Sequence, residues 1–163
     1  MTLPPFQTLV DDHAGAVAAY LRGLLGATDA EDAVQETYLA ALRAYPSFDG
    51  AHPRAWLMTI ARRKAIDLAR ARSRRPQALA EPDEIPAAGT TAAEGLERAG
   101  IWARVALLPP KQREALLLRF GADLRYREIG IAMGCSEEAA RRSVHEGLTK
   151  LRKSNRVREE VGA

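Results

Sequence analysis

Apolar residues in this chain recur three and four positions apart from Phe6 to Leu151. Nowhere do apolar and polar residues alternate over the length of a strand, so the pattern predicts an all-α fold. A first helix is expected over 6–25, with Val10, Val17 and Leu21 inward and Gly26 as its stop. Thr28 or Asp29 would cap a second helix over 30–45, with Val34, Tyr38, Ala41, Leu42 and Tyr45 on the inner stripe. Pro46 ends it, and the loop 46–53 (PSFDGAHP) carries turn chemistry at both ends. A third helix follows over about 54–74.

From 76 to 94 the composition shifts to Pro, Ala, Gly and Thr with few large apolar residues, which predicts a flexible linker. Beyond it, 96–107 is expected as a helix with Ile101, Val105 and Leu108 inside. Pro110 suits the first turn of a helix ending near Phe120, with Gly121 as its cap. Two short helices split at Gly134 come next, and the polar tail 154–163 is expected to fray. The resulting expectation is two small helical domains, 1–75 and 96–163, joined by a flexible linker at 76–95, the second containing a helix-turn-helix.

Charge changes the picture locally rather than globally. The formal net charge is only +3 over 163 residues, but seven of the residues 61–75 are basic against one acid, Asp67. On a helical wheel Leu57, Met58, Ala61, Ala65 and Leu68 fall together and face the core. The other side carries Trp56, Thr59, Arg63, Asp67, Arg70 and Arg74. Guanidinium groups neutralise phosphates, and an indole can stack on a base or wedge a base step. A solvated charged face with Trp56 tucked against a neighbouring helix is the plainer alternative.

The segment 125–153 has the layout of a helix-turn-helix. Arg125 to Met133 forms a short helix with Ile129 inward, and Gly134-Cys135 makes the turn. Ser136 suits the N-cap of the next helix, whose positive end Glu137 and Glu138 complement. Ala140, Val144, Leu148 and Leu151 form its inner stripe. In such a motif the first turns of the second helix enter the major groove, so Glu138, Ala139, Arg141 and Arg142, flanked by His145, are the candidate base readers. Lys150, Arg152 and Lys153 would steady the phosphate backbone. An ordinary helical hairpin would share part of this pattern.

The second helix has the opposite character. Asp29, Asp32, Glu36, Leu39 and Arg43 share its outward face, with Gln35 at the edge. Carboxylates there repel phosphate, and an exposed leucine among charges suits a protein contact, an apolar anchor with a polar rim. A solvated acidic face is the alternative.

With 47% apolar and 28% charged residues, and no apolar run near the length of a membrane span, the chain reads as a cytoplasmic helical protein. Its first residues show no secretory leader. Cys135 is the one cysteine, which rules out an internal disulfide and a cysteine-cluster metal site. His13, His52 and His145 are scattered, and no phosphate loop or paired catalytic groups occur, so neither an enzyme nor a bound cofactor or metal is expected.

Residues 29–75 (DAEDAVQETYLAALRAYPSFDGAHPRAWLMTIARRKAIDLARARSRR) resemble region 2 of bacterial RNA polymerase sigma factors. Residues 107–153 (LLPPKQREALLLRFGADLRYREIGIAMGCSEEAARRSVHEGLTKLRK) resemble their region 4. With only a linker between, the resemblance is to the extracytoplasmic-function (ECF) class. It implies that Asp32, Gln35, Glu36 and Leu39 bind the clamp helices of the polymerase β′ subunit, while the second domain rests on the β flap. It implies that Phe48, Asp49 and His52 capture a flipped base of the −10 element, and that Trp56, Thr59, Arg62, Arg63 and Arg70 open and grip it. The −35 element would fall to Glu138, Ala139, Arg141, Arg142 and His145. An anti-sigma protein is a further candidate partner. The chain departs from the family where Ala139-Ala140 replaces the usual Thr-Val, and where Ser143 and Glu146 stand at positions often held by arginine. Both departures imply fewer −35 contacts. The alternative is a stand-alone helix-turn-helix regulator, which would bind a palindrome as a dimer and leave the acidic face and Trp56 unused.

Overall fold

A computed structural model describes residues 2–74 and 100–162, and among these every regular element is helical. The elements are α1 (Phe6–Leu25), α2 (Ala27–Ala44), a single 3₁₀ turn (Tyr45–Ser47) and α3 (Pro53–Ser73). After the undescribed stretch come α4 (helical over 100–105), α5 (Pro110–Leu116), one wide π-type turn (Leu117–Gly121), α6 (Tyr126–Met133) and α7 (Glu137–Val161). The expected linker at 76–95 lies outside the described residues.

The front half is a three-helix unit. Gly26, at φ 79°, ends α1 and starts α2 without a side-chain cap. The expected caps Thr28 and Asp29 therefore lie inside α2. Asp29 instead meets Arg72 of α3, with 2.5 Å between Oδ2 and Nε, in ion-pair contact without hydrogen-bond alignment. α1 buries Leu9, Val17, Tyr20 and Leu21, so Leu9 takes the inward place expected of Val10, which is half-buried. α2 buries small residues, Ala30, Ala33, Thr37 and Ala41, because it packs closely against both α1 and α3. That rotates the helix relative to expectation and leaves Leu42 53% exposed. α3 buries Leu57, Met58, Ala61 and Ala65, as its wheel predicts, and Ala55 besides, while Leu68 is only half-buried. Complete burial of a leucine or methionine such as Leu57 or Met58 contributes about 1.5–3 kcal/mol each.

In the back half, Ile101 faces solvent and Val105 is buried, with Trp102 half-buried beside Gly121. The helix opened by Pro110 is shorter than expected, since the π-type turn intervenes before Phe120 and Ala122 is the cap residue rather than Gly121. Gly134 takes the left-handed conformation (φ 68°) that closes α6 onto the turn. Gly130 lies so close to the turn that a Cβ there would sit 2.7 Å from the Cys135 carbonyl oxygen. Ser136 caps α7 by accepting the Ala139 N–H at 3.1 Å. α7 is a long single helix reaching Val161, so the tail expected to fray is helical with its side chains exposed.

The two halves pack together. α3 lies against α6, and α1 lies against the π-type turn. One hydrophobic core runs from Leu9 and Tyr20 through Met58 to Leu118, Ile129 and Val144.

Candidate nucleic-acid and protein interfaces

The acidic helix presents its stripe as the sequence suggests. Asp32, Gln35, Glu36 and Leu39 are all exposed, spaced at i, i+3, i+4 and i+7 along one side of α2. Leu42 and Arg43 extend the same stripe. Leu39 and Leu42 remain 49% and 53% exposed, so this surface has two apolar anchors within a charged rim. The sequence reading placed Leu42 on the inner stripe with Val34, Tyr38, Ala41 and Tyr45, and the structure puts it outside. The alanines of α2 were the signal, marking a face too close to its neighbours for leucine.

The loop before α3 is ordered by aromatic packing. Phe48 is buried and stacks on Trp56, with ring centroids 4.4 Å apart and planes at 26°. Tyr45 lies 6.1 Å from Phe48 and 5.2 Å from Phe6, and its hydroxyl donates to the Pro4 carbonyl. Trp56 is therefore half-buried, tucked among neighbouring rings, and does not stand free among the arginines. Asp49 remains exposed and accepts the Ala51 N–H at 2.8 Å. His52 holds a left-handed backbone (φ 47°) as the N-cap residue of α3, a conformation disfavoured for residues other than glycine. Thr59 turns its hydroxyl back to the Ala55 carbonyl at 2.9 Å. Arg63 and Arg70 are exposed.

Arg62 is engaged elsewhere. Its Nε donates to Oε1 of Glu114 on α5 at 2.5 Å, and the hydroxyl of the fully buried Tyr20 donates to the same oxygen at 2.8 Å. Burial works against the Arg62 charge, but the hydrogen bond and attraction from Glu114 outweigh it and raise its pKa. Burial, reinforced by the Glu114 carboxylate, pushes the Tyr20 phenol well above its ordinary range. Nearby, Arg54 reaches the carbonyls of Ala122 and Asp123 at 3.4 and 3.3 Å and donates to His13 Nδ1 at 3.4 Å. Burial, then the Arg54 charge, lowers the His13 pKa. α1 meets the back half so closely at Gly23 that a Cβ there would fall 2.3 Å from Leu117 Cδ2. No sequence signal links these residues, since the spacing from Tyr20 to Glu114 is 94 positions.

On α7, Glu138, Arg141, Arg142 and His145 are exposed and Ala139 is half-buried, all within the first three turns. Arg141 is held in place: it pairs with Glu137 at 3.0 Å, and its guanidinium lies 4.9 Å from the centroid of the Tyr126 ring. Arg119 approaches that ring as well, at 5.6 Å. Sequence reasoning missed Tyr126 and Arg119. Among the described residues no ion pair holds Arg142. Among the described residues no group of three or more His, Cys, Asp or Glu could hold a metal ion, and no described helix is long and apolar enough to cross a membrane.

Residues 9–75 match the family model for Sigma-70 region 2, and residues 105–153 match that for Sigma-70 region 4. The ECF RNA polymerase sigma factor ShbA of Streptomyces griseus is 38% identical over 132 residues, covering 75% of this chain and 69% of that protein. SigE of Mycolicibacterium smegmatis, also an ECF sigma factor, is 32% identical over 92% of this chain, which spans 61% of its length. Among solved structures, CnrH in complex with the cytosolic domain of CnrY is similar at a TM-score of 0.71 and 28% identity, over 93% of this chain and 88% of that one. The fold is shared also with RpoE from Bartonella quintana, solved with the anti-sigma factor NepR, at a TM-score of 0.77 and 24% identity over 95% of this chain and 99% of that one. With region 2 built on α1–α3 and region 4 on α5–α7, the chain belongs to the ECF class of the sigma-70 family of RNA polymerase sigma factors.

Proposed function

We propose that this protein binds core RNA polymerase, carries it to a defined set of promoters and helps melt the −10 region, acting in the cytoplasm and without catalysing a reaction itself. Melting requires no bond chemistry from the chain. Binding energy to the opened strand offsets the cost of unpairing.

The observation that carries this function is the segregation of surfaces on two adjacent helices. α2 displays carboxylates and leucines, while α3, packed against it, displays arginines. Phosphate would be repelled from the first surface and attracted to the second. We assign Asp32, Gln35, Glu36, Leu39 and Leu42 to the polymerase, on the β′ clamp helices, with region 4 seated on the β flap. Trp56, Asp49, His52, Arg63 and Arg70 are assigned to the −10 element, together with Arg62 once it is released from Glu114. Phe48 supports Trp56 from below rather than capturing a base, because its ring is buried. Thr59, with its hydroxyl engaged by Ala55, contributes shape rather than a hydrogen bond. Glu138, Arg141, Arg142 and His145 are assigned to the −35 element, with Ala139 lining the approach. CnrH was solved with the cytosolic domain of CnrY; for this chain an anti-sigma protein is the candidate regulator.

Run-off transcription with purified core enzyme on a library of promoter fragments tests the function. Transcripts from a restricted set of fragments, dependent on this chain, are expected. Transcription that is unchanged by its addition would overturn the proposal. A stand-alone regulator is disfavoured, because it would leave the α2 surface without a role.

A further inference from the structure

The outer face of α7 is not uniformly cationic. Opposite the buried Ala140, Val144 and Gly147 stand Glu138, Arg142 and Glu146, one turn apart and all exposed. The order is acid, base, acid. The neighbouring cation, Arg141, is drawn aside by its ion pair with Glu137 and its place against the Tyr126 ring. Arg142 differs: a carboxylate stands one turn away on either side, yet among the described residues no ion pair engages it, and none engages Glu138. Glu146 meets α5, where it accepts from Gln112 Nε2 at 3.2 Å. Glu138 and Arg142 therefore keep their hydrogen-bonding capacity for a partner.

A carboxylate facing DNA is repelled by phosphate and gains only from a base. In the major groove cytosine offers an amino donor that a carboxylate accepts, and guanine offers two acceptors that a guanidinium bridges. Four residues of helix rise about 6 Å, close to two base-pair steps of about 3.4 Å. Glu138 lies in the first turn of α7, the part of such a helix that contacts base edges. We propose that Glu138 and Arg142 read a cytosine and a guanine about two base pairs apart in the −35 element, while Glu146, held by Gln112, keeps the third turn from gripping phosphate. This rests on the sigma-factor function assigned above and adds the base that each residue selects. Opposite an edge that offers only acceptors, Glu138 loses water without gaining a partner, so it rejects wrong sequences as well as favouring the right one. Affinity at this element then comes from matching bases more than from charge.

The test uses the full chain with core enzyme and duplexes randomised over the −35 element, each carrying a constant −10 element, and the bound duplexes are sequenced. The wild type is expected to enrich a cytosine and a guanine about two steps apart. Glu138→Gln exchanges the carboxylate for an amide, whose donor and acceptor fit adenine, so adenine should replace the cytosine while the guanine stays. On a duplex of the wild-type sequence this variant should bind about tenfold more weakly. Glu146→Lys should instead raise affinity for all sequences alike and steepen the salt dependence of binding by about one unit of slope. Both side chains are exposed, so neither change disturbs the core. An unshifted base preference in Glu138→Gln, or an unchanged salt slope in Glu146→Lys, would overturn the inference while normal run-off transcription left the sigma-factor assignment standing. Wild-type chain that directs core enzyme to no promoter would sink that assignment and this inference with it.

Discussion

Replacing Leu39 and Leu42 together by glutamine isolates the apolar part of the proposed polymerase contact. Full burial of a leucine is worth about 1.5–3 kcal/mol, and roughly half of each side chain is still exposed, 49% and 53%. Each leucine then has about 1 kcal/mol left to contribute when a partner covers it. The pair amounts to about 2 kcal/mol, or roughly thirtyfold in Kd. Glutamine matches leucine closely in helix propensity, and neither side chain is in the core, so the melting temperature should hold. The assay is titration of core enzyme into fluorescently labelled chain, with thermal unfolding followed in parallel. A loss of less than about threefold in a fully folded double variant would refute the assignment of this surface.

Trp56→Ala should suppress permanganate reactivity at the −10 element and also destabilise region 2 by about 2 kcal/mol, since it removes the stacking partner of Phe48. Trp56→Phe, which keeps a ring there, should restore stability, and normal opening by the alanine variant would contradict a melting role. Arg142→Ala should weaken −35 binding by about 1–3 kcal/mol without altering stability, read by competition with variant −35 sequences; unchanged sequence preference would remove Arg142 from the reading face. Tyr126→Ala should lower −35 affinity through loss of the ring beneath Arg141, while Tyr126→Phe should not. Zero coupling in a Tyr126/Arg141 double-mutant cycle would contradict that. The His13 pKa is lowered on folding, first by burial and then by Arg54. A histidine depressed in the folded state supports stability above its unfolded pKa of about 6.5 and loses that support as pH falls toward the folded value. Denaturant midpoints should therefore decline below about pH 6.5 in the wild type, and His13→Gln should flatten that decline.

Much of the fold is visible in the spacing of apolar residues, because helix faces repeat their burial every turn. The bounds of α1, the core face of α3 and the Gly134–Ser136 turn follow from local chemistry that requires no partner. Leu42 went the other way: its exposure depends on how closely α1 and α3 approach α2, which is a tertiary fact. Ile101 likewise has the right spacing for burial but finds solvent. The candidate site divides along the same line. Exposure of Asp32, Glu36, Arg63 and Arg142 follows from wheel position. The pairing of Arg62 with Glu114, 52 residues away, depends on two separately patterned halves meeting. The stacking of Phe48 on Trp56 was also beyond local pattern, because the loop path between them is set by Gly50 and the left-handed His52.

Cys135 is the one cysteine of the chain and lies exposed in the helix-turn-helix turn, so it can carry a tethered hydroxyl-radical cleavage reagent. In complexes of core enzyme, labelled chain and promoter DNA, DNA cleavage should centre on the −35 element alone, with permanganate-reactive bases at −10 in the same complexes. Cleavage at two symmetric half-sites, or cleavage that persists without core enzyme and never accompanies an open −10 region, would contradict the account that one copy of this protein bridges polymerase and two unlike promoter elements.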